Sequence, residues 1–590
     1  MIILAIILII FIAVCLALKV KKRSKHAINS DKRFVNSSDS IIDNGIPSKK
    51  RNDAIKYICI FLIYCGILFC IYAKYYFADQ FPMSGDGLAF VSSQAFVGDS
   101  LHMYGELPLW NKWLSAGMPN NPFQIINLLN VLPPKLMIYA LYIGSVALAA
   151  LYFYRYLLEL ECSEITAFAI NICYLLSIHL GGLRKSHAYL IFSTTLVPVI
   201  IFYAERYLRT ERLRWLLVSS AVTALQFTMY IQYMVYTVLY VVAYLLAFGI
   251  KRKIPVRTML LHGMLWGLVL IALLSFTLFP MLEQNAYYTK AGFARSSFEY
   301  FKSYSVHPIK LIEMLFPRFF AGEVYQAYGP MHSSEMDVEL FLGYGIFALL
   351  MFCSQLARQD FRIRFNFTAM MVVFVYAALG AFPSIAALIY KIPYLGDFRC
   401  PSRTLFLFNF LAFTQAAIAL DQIREEKTYR RFVRMNTRFV SGIVAMIALF
   451  PFVFLVSQGI GGNGWQSSEL QACDSYIRNC LWPELVGIVI ISFLLIVGQH
   501  FLFKKKWKGN HVILSSILAL SVVIQVYPYT SVTWPSAVSD LNATDSVSVA
   551  LAEEIGDDKL WDAFQGIDGV HESIVSVNRG MTKHIASINS

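Results

Sequence analysis

WLLVSSAVTALQFTMYIQYMVYTVLYVVAYLLAF, running from Trp215 to Phe248, contains no charged side chain. It is too long for one passage through a hydrocarbon core of about 30 Å, which about 20 residues cross at 1.5 Å rise per residue. Two helical passages are expected, divided at the polar residues Gln226 and Gln232. Two passages return the chain to its starting side, and both flanks are cationic: Arg206, Arg209, Arg212 and Arg214 before, Lys251, Arg252 and Lys253 after. Cations kept on one face follow the positive-inside rule, so both flanks are assigned to the cytoplasmic side.

The pattern extends outward in both directions. A 590-residue chain that is 57% hydrophobic and 15% charged cannot enclose its apolar surface in a water-soluble fold of ordinary proportions. Further apolar runs lie near 2–18, 57–76, 136–154, 163–181, 188–205, 257–279, 338–355, 366–390, 403–420, 438–457, 483–503 and 510–527. The expected fold is an all-α polytopic membrane protein with about 14 transmembrane helices and two large extracytoplasmic loops. Residues 1–19 form an N-terminal anchor and 20–55 a basic cytoplasmic linker; 56–527 form the bundle, with outer loops at 77–134 and 280–337. Residues 528–590 are polar and are expected to be extracytoplasmic.

A net charge of +13 would suggest nucleic acid in a soluble protein, but here the cations occupy short loops between apolar runs and orient the chain. Cys15, Cys59, Cys65, Cys70, Cys173 and Cys353 lie within apolar spans without metal-ligand spacing, and Cys473 with Cys480 is the one pair placed for a disulfide. There is no Walker lysine loop, Rossmann glycine fingerprint or zinc helix motif, which argues against an ATP-driven pump. An enzyme of this composition would draw on an activated substrate already in the membrane.

The first outer loop carries the densest chemistry. It holds Asp79, then Ser84-Gly85-Asp86-Gly87, then Gly105-Glu106-Leu107-Pro108-Leu109-Trp110-Asn111, then Gly117-Met118-Pro119-Asn120. A carboxylate flanked by glycines has little side-chain cover and can approach a substrate or cation closely, although a solvated aspartate in a turn has the same local pattern.

This opening, a carboxylate after the first bundle helix followed by Gly-x-Leu-Pro-Leu-Trp and Gly-x-Pro, resembles the YfhO family of GT-C membrane glycosyltransferases. Other pieces follow in that family's order: His187 through Pro198 to Glu205, Pro280 with Glu283, Leu315-Phe316-Pro317 with Gly322, and Phe398-Arg399-Cys400-Pro401-Ser402-Arg403. The resemblance spans about residues 56 to 590 and implies a GT-C type helical bundle in a bacterial cytoplasmic membrane, with its active site facing outside and with 528–590 as the start of a larger extracytoplasmic C-terminal region that is cut short. It implies transfer of a sugar from a polyprenyl-phosphate-linked donor to an envelope glycopolymer, such as a teichoic acid.

Such a transfer needs a base for the acceptor hydroxyl and a cation for the departing phosphate. Asp86 is the first candidate for the base and Asp79 the second, seven residues upstream and two turns away if the segment is helical. Either could instead hold a divalent cation, Mg or Mn. For the phosphate, Arg399 and Arg403 stand where the charge rule disfavours cations, and a spacing of four puts them on one face of a helix. Arg184 with Lys185 is a second pair. His187 and Glu283 are further candidate substrate ligands, and Trp110 a candidate sugar-stacking wall, against the alternatives of a packed histidine and an interfacial anchor. The expected partners are lipid-linked sugar, glycopolymer acceptor and membrane lipid, with no nucleic acid. The competing readings are a flippase for lipid-linked sugars, an envelope polysaccharide polymerase and a structural scaffold. Ionisable groups gathered in outer loops rather than inside spans favour surface chemistry over transport.

Overall fold

The computed structural model describes residues 46–82, 86–111, 118–119, 125–177, 188–287, 297–315, 340–357, 360–392, 395–423, 425–460, 486–494, 496–497 and 536–537. The anchor expected over 2–18, most of the basic linker, the span expected near 510–527, and Cys473 and Cys480 lie outside them.

In chain order the elements are α1 (Ile46–Phe77), β1 (Gln80–Phe81), α2 (Asp86–Tyr104), β2 (Trp110–Asn111), β3 (Met118–Pro119), α3 (Pro134–Glu159), α4 (Glu164–Leu176), α5 (Ala188–Thr195) and α6 (Val197–Thr210). There follow α7 (Leu213–Met229), α8 (Ile231–Lys251), α9 (Val256–Tyr287), α10 (Phe298–Phe301), α11 (Tyr344–Leu356), α12 (Phe361–Ala377), α13 (Pro383–Tyr390), α14 (Leu405–Gln422), α15 (Glu426–Ile460) and β4 (Ser536–Ala537). Among the described residues six helical stretches are long and apolar enough to cross a membrane: Ala54–Phe77, Pro134–Glu159, Leu190–Thr210, Ile231–Lys251, Val256–Pro280 and Pro401–Gln422. The protein is an all-α, multi-pass membrane protein, and its described strands form only two short ladders.

The chain divides into two compact units, one drawn from residues 62–152, 182–294 and 531–590, the other from 1–61, 153–181 and 295–530. In the first, α7 packs on α6, α8 and α9. The long apolar stretch breaks at Tyr230, whose backbone is extended (φ −159°, ψ 109°), between the two glutamines that predicted the division. Both glutamines are buried and bonded: Gln226 Nε2 donates to the Ser193 carbonyl at 3.0 Å and Gln232 Nε2 to the Tyr236 hydroxyl at 2.8 Å. Ser219 and Ser220 likewise donate to the carbonyls of Ile200 and Trp266. Gln226, Ser219 and Ser220 thus find partners on neighbouring helices, whereas Gln232 bonds one turn along its own helix, which is how polar side chains are tolerated in an apolar bundle.

In the second unit α14 is the buried centre, packed by α4, α11 and α12. Phe410 meets Phe153 and Tyr156, each with ring centroids 5.4 Å away, and Phe153 lies 4.3 Å from Tyr174. Ser163 caps α4 by accepting from the Thr166 N–H, and its own N–H donates to Asp421 Oδ1 at 2.9 Å. The single span expected near 366–390 is instead two helices, α12 and α13, joined by a 3-10 turn at Leu379–Ala381. Pro383 opens α13, where its missing N–H costs nothing, and Gly380 lets the turn approach Ser305, whose Cβ would stand 3.0 Å from an added methyl.

Candidate active site

The first unit contains the loop with the two candidate aspartates. α1 ends at Phe77, and Asp79 closes the end with left-handed backbone (φ 54°), its N–H donating to the Tyr76 carbonyl at 3.3 Å. Aspartate is among the few non-glycine residues that adopt this conformation readily. Its carboxylate is 70% exposed, and Oδ1 accepts from Lys135 Nζ at 2.6 Å. Lys135 is itself fixed: it lies in the first turn of α3, with its ammonium 4.7 Å from the centre of the Tyr76 ring. One turn further along α3, the Tyr139 hydroxyl donates to the Gln80 carbonyl at 2.8 Å. The tail strand β4 completes the frame, pairing antiparallel with β1 so that Gln80 faces Ala537 and Phe81 faces Ser536.

Asp86 is the first residue of α2, where a carboxylate complements the helix dipole; its side chain lies outside the described residues. The helical spacing expected between Asp79 and Asp86 is not found. A helix end, a strand and a helix start separate them, because the left-handed Asp79 terminates α1 before a further turn can form.

α2 ends at Gly105, whose positive φ of 70° lets its N–H reach back to the Leu101 carbonyl at 3.0 Å. The two motifs that follow are joined in space: β2 pairs with β3, Trp110 opposite Pro119 and Asn111 opposite Met118. A 3-10 helix, Ile125–Val131, packs on α2, with Asn130 Nδ2 donating to buried Gln94 at 2.9 Å. Gly98 admits that approach, since an added Cβ would lie 3.2 Å from the Asn130 carbonyl oxygen. The Trp110 side chain is outside the described residues, as are Arg184, Lys185 and His187. Helix α9 runs through Pro280 to Tyr287, so Glu283 sits on its last turns rather than in a loop, and its side chain is likewise not described.

Glu205, a motif residue in the resemblance, has a different character. It is fully buried on α6 and accepts from the Tyr244 hydroxyl at 2.6 Å, Arg252 Nη2 at 2.7 Å and Arg209 Nε at 3.2 Å. It ties α6 to α8 at the ends that carry the cations of both flanks, with its Oε1 bound to both arginines and its Oε2 to the tyrosine. This is a structural clamp.

The second unit holds Arg399 and Arg403, and the single helical face expected for them is corrected. Cys400 between them is left-handed (φ 59°), and only Pro401–Thr404 is helical, as a 3-10 turn. Arg399 is exposed, its guanidinium 5.2 Å from the Tyr300 ring centre, whereas Arg403 is 5% exposed. Gly396 shapes the preceding turn: a Cβ there would lie 2.0 Å from the Tyr390 carbonyl oxygen. The Thr404 hydroxyl donates to the Pro401 carbonyl at 2.8 Å and reaches that of Val373 on α12 at 3.4 Å. One turn on, Ala377 accepts from the Val306 N–H at 2.8 Å, leading into another 3-10 segment, Pro308–Met314. That segment carries Lys310 and Glu313, both buried and three residues apart, which eclipses them in 3-10 geometry.

Sequence reasoning missed Lys135 and Lys310. Lys135 carried a usable signal, since it opens a predicted span at the end facing the first outer loop, the placement that singled out Arg399. No group of three metal-ligating side chains forms among the described residues.

No family model matches the chain. No curated protein matches it either. Two solved structures are similar to it, both of ArnT from Cupriavidus metallidurans. One, bound to undecaprenyl phosphate, is 13% identical, with 91% of this chain and 85% of that chain covered at a TM-score of 0.38. The other, in the apo state, is 11% identical, with 91% and 86% covered at a TM-score of 0.44.

Proposed function

We propose that this protein is a membrane glycosyltransferase of the GT-C type, resembling the YfhO family. In this reading it moves a sugar from a polyprenyl-phosphate-linked donor to an envelope glycopolymer, such as a teichoic acid, on the outer face of a bacterial cytoplasmic membrane. The observation that carries the reading is the placement of Asp79. It stands two residues past the end of one membrane-spanning stretch, ion-paired to Lys135 in the first turn of another. In this reading the carboxylate and the cation lie at the level where a lipid carrier presents its phosphate. The carboxylate keeps a solvent-facing side from which an acceptor could be reached.

The chemistry then assigns roles. Asp86, or Asp79, takes the proton of the acceptor hydroxyl as its oxygen attacks the anomeric carbon. The bond from that carbon to the phosphate oxygen breaks, and the polyprenyl phosphate leaves with the electron pair. Lys135 faces the developing charge of the leaving phosphate, with Arg184 and Lys185 as further proposed cations; Arg399 and Arg403, in the second unit, remain phosphate-binding candidates on the sequence alone. His187, Trp110 and Glu283 remain proposed sugar or acceptor contacts. A divalent cation at the aspartates, Mg or Mn, would act as an electrophile on the phosphate; the steps above use the chain's own groups.

The test is transfer of labelled sugar from polyprenyl-phosphate-linked donors to the envelope fraction, in membranes carrying wild type or Asp86→Asn at matched abundance. Wild type is expected to transfer label and Asp86→Asn to lose at least about 100-fold, the scale of a lost general base. If wild type transfers nothing but moves the intact donor across the bilayer, a transporter reading replaces this one.

A further inference from the structure

Helix α15 is 35 residues long, about 52 Å at 1.5 Å per residue, against a hydrocarbon core of about 30 Å. Its apolar portion begins at Phe439, so the first three turns extend beyond the core. These turns are two-faced. Tyr429, Phe432, Val433 and Asn436 are buried against the unit, with Phe432 edge-on to Phe352 at 5.5 Å and Asn436 accepting from the Tyr344 hydroxyl. The opposite face carries Lys427, Arg430, Arg431, Arg434 and Arg438, all exposed.

The spacing of these cations, three or four residues apart, makes one continuous stripe parallel to the helix axis. Arg430 is neutralised by Glu426 at 2.5 Å, and no acidic residue follows Glu426 anywhere in the helix. Among the described residues the other four form no ion pair with an acidic side chain. Packing of the apolar face fixes the rotation of the helix, so the stripe must face away from the unit, at the depth where the apolar segment ends and lipid headgroups begin.

We propose that this stripe is a binding site for anionic phospholipid headgroups of the adjacent leaflet, with Lys427, Arg431, Arg434 and Arg438 as its ligands. The partner chemistry follows from the geometry: several phosphate monoanions held in a plane at the membrane surface match four cations on a fixed helical line, and arginine pairs with phosphate oxygens through two N–H groups. The proposal does not depend on the glycosyltransferase reading.

The test uses the full chain in neutral detergent, with native mass spectrometry to count retained phosphatidylglycerol and phosphatidylcholine, and inorganic phosphate as competitor. Wild type is expected to retain phosphatidylglycerol preferentially. The variant Lys427→Gln/Arg431→Gln/Arg434→Gln/Arg438→Gln is expected to bind it at least about tenfold more weakly, from the contribution of juxtamembrane cations. Arg431→Lys/Arg434→Lys/Arg438→Lys should retain it. Equal retention of the two lipids by wild type, or undiminished phosphatidylglycerol binding by the fourfold variant, overturns the proposal. Full displacement by inorganic phosphate overturns the lipid assignment in favour of a soluble phosphate site. Should the fourfold variant fail to fold, Arg434→Gln alone decides, with a loss of about fivefold expected and no loss overturning the proposal.

Discussion

Glu205 and Asp79 are both carboxylates paired with a cation in the same unit, and they do opposite things. Glu205 is sealed from solvent and its two oxygens accept three donors from two helices. Asp79 offers one oxygen to one lysine and leaves most of its side chain in solvent. A buried charge is held by its donors and costs much to disturb, while an exposed pair adds little to stability and stays available to a substrate. Both residues belong to motifs of the same resemblance, yet only Asp79 keeps its carboxylate largely in solvent.

Replacing Glu205 should separate the two most sharply. Glu205→Ala strands two arginines and a buried hydroxyl and is expected to cost about 3–5 kcal/mol, read as a large drop in Tm in detergent or loss of folded protein. Retention of wild-type Tm would break the comparison. A smaller probe is Tyr244→Phe, which deletes only the donor to Glu205 Oε2. It should cost about 1.5–3 kcal/mol, as a hydrogen bond to a charged group does, and unfolding midpoints of the two variants would rank the arginines against the tyrosine. The smallest structural effect is expected from Asp79→Asn, which tolerates the same left-handed backbone and removes an ion pair worth at most about 1 kcal/mol. Its Tm should hardly move. A loss as large as that of Tyr244→Phe would make Asp79 a second clamp and remove it from the candidate site.

Much of the architecture was legible in advance because it depends on local quantities. The length of an uncharged run, set against bilayer thickness, predicted two helices, of which Ile231–Lys251 is long and apolar enough to cross a membrane, and the polar Gln226 and Gln232 predicted the break at Tyr230. Where a backbone device intervened, periodicity misled. The turn at Gly380 and Pro383 splits one expected helix into two, and left-handed Cys400 and Asp79 cancel the helical spacings drawn through them. Periodic reasoning assumes uniform φ and ψ, and a single left-handed residue voids it.

By itself, then, the sequence determined that this chain lives in a membrane as a bundle of helices, and which stretches between apolar runs carry carboxylates and cations, since hydrophobic length and charge are additive along the chain. Only the tertiary structure decided which of those charges are occupied. The closing of Glu205 by Arg252 and Tyr244, the pinning of Asp79 by Lys135, the burial of Arg403 beside an exposed Arg399, and the return of Ser536–Ala537 to β1 each join residues distant in sequence or turn on one backbone angle. Solvation and pairing in the folded state, not residue type, separate a structural charge from one poised to react.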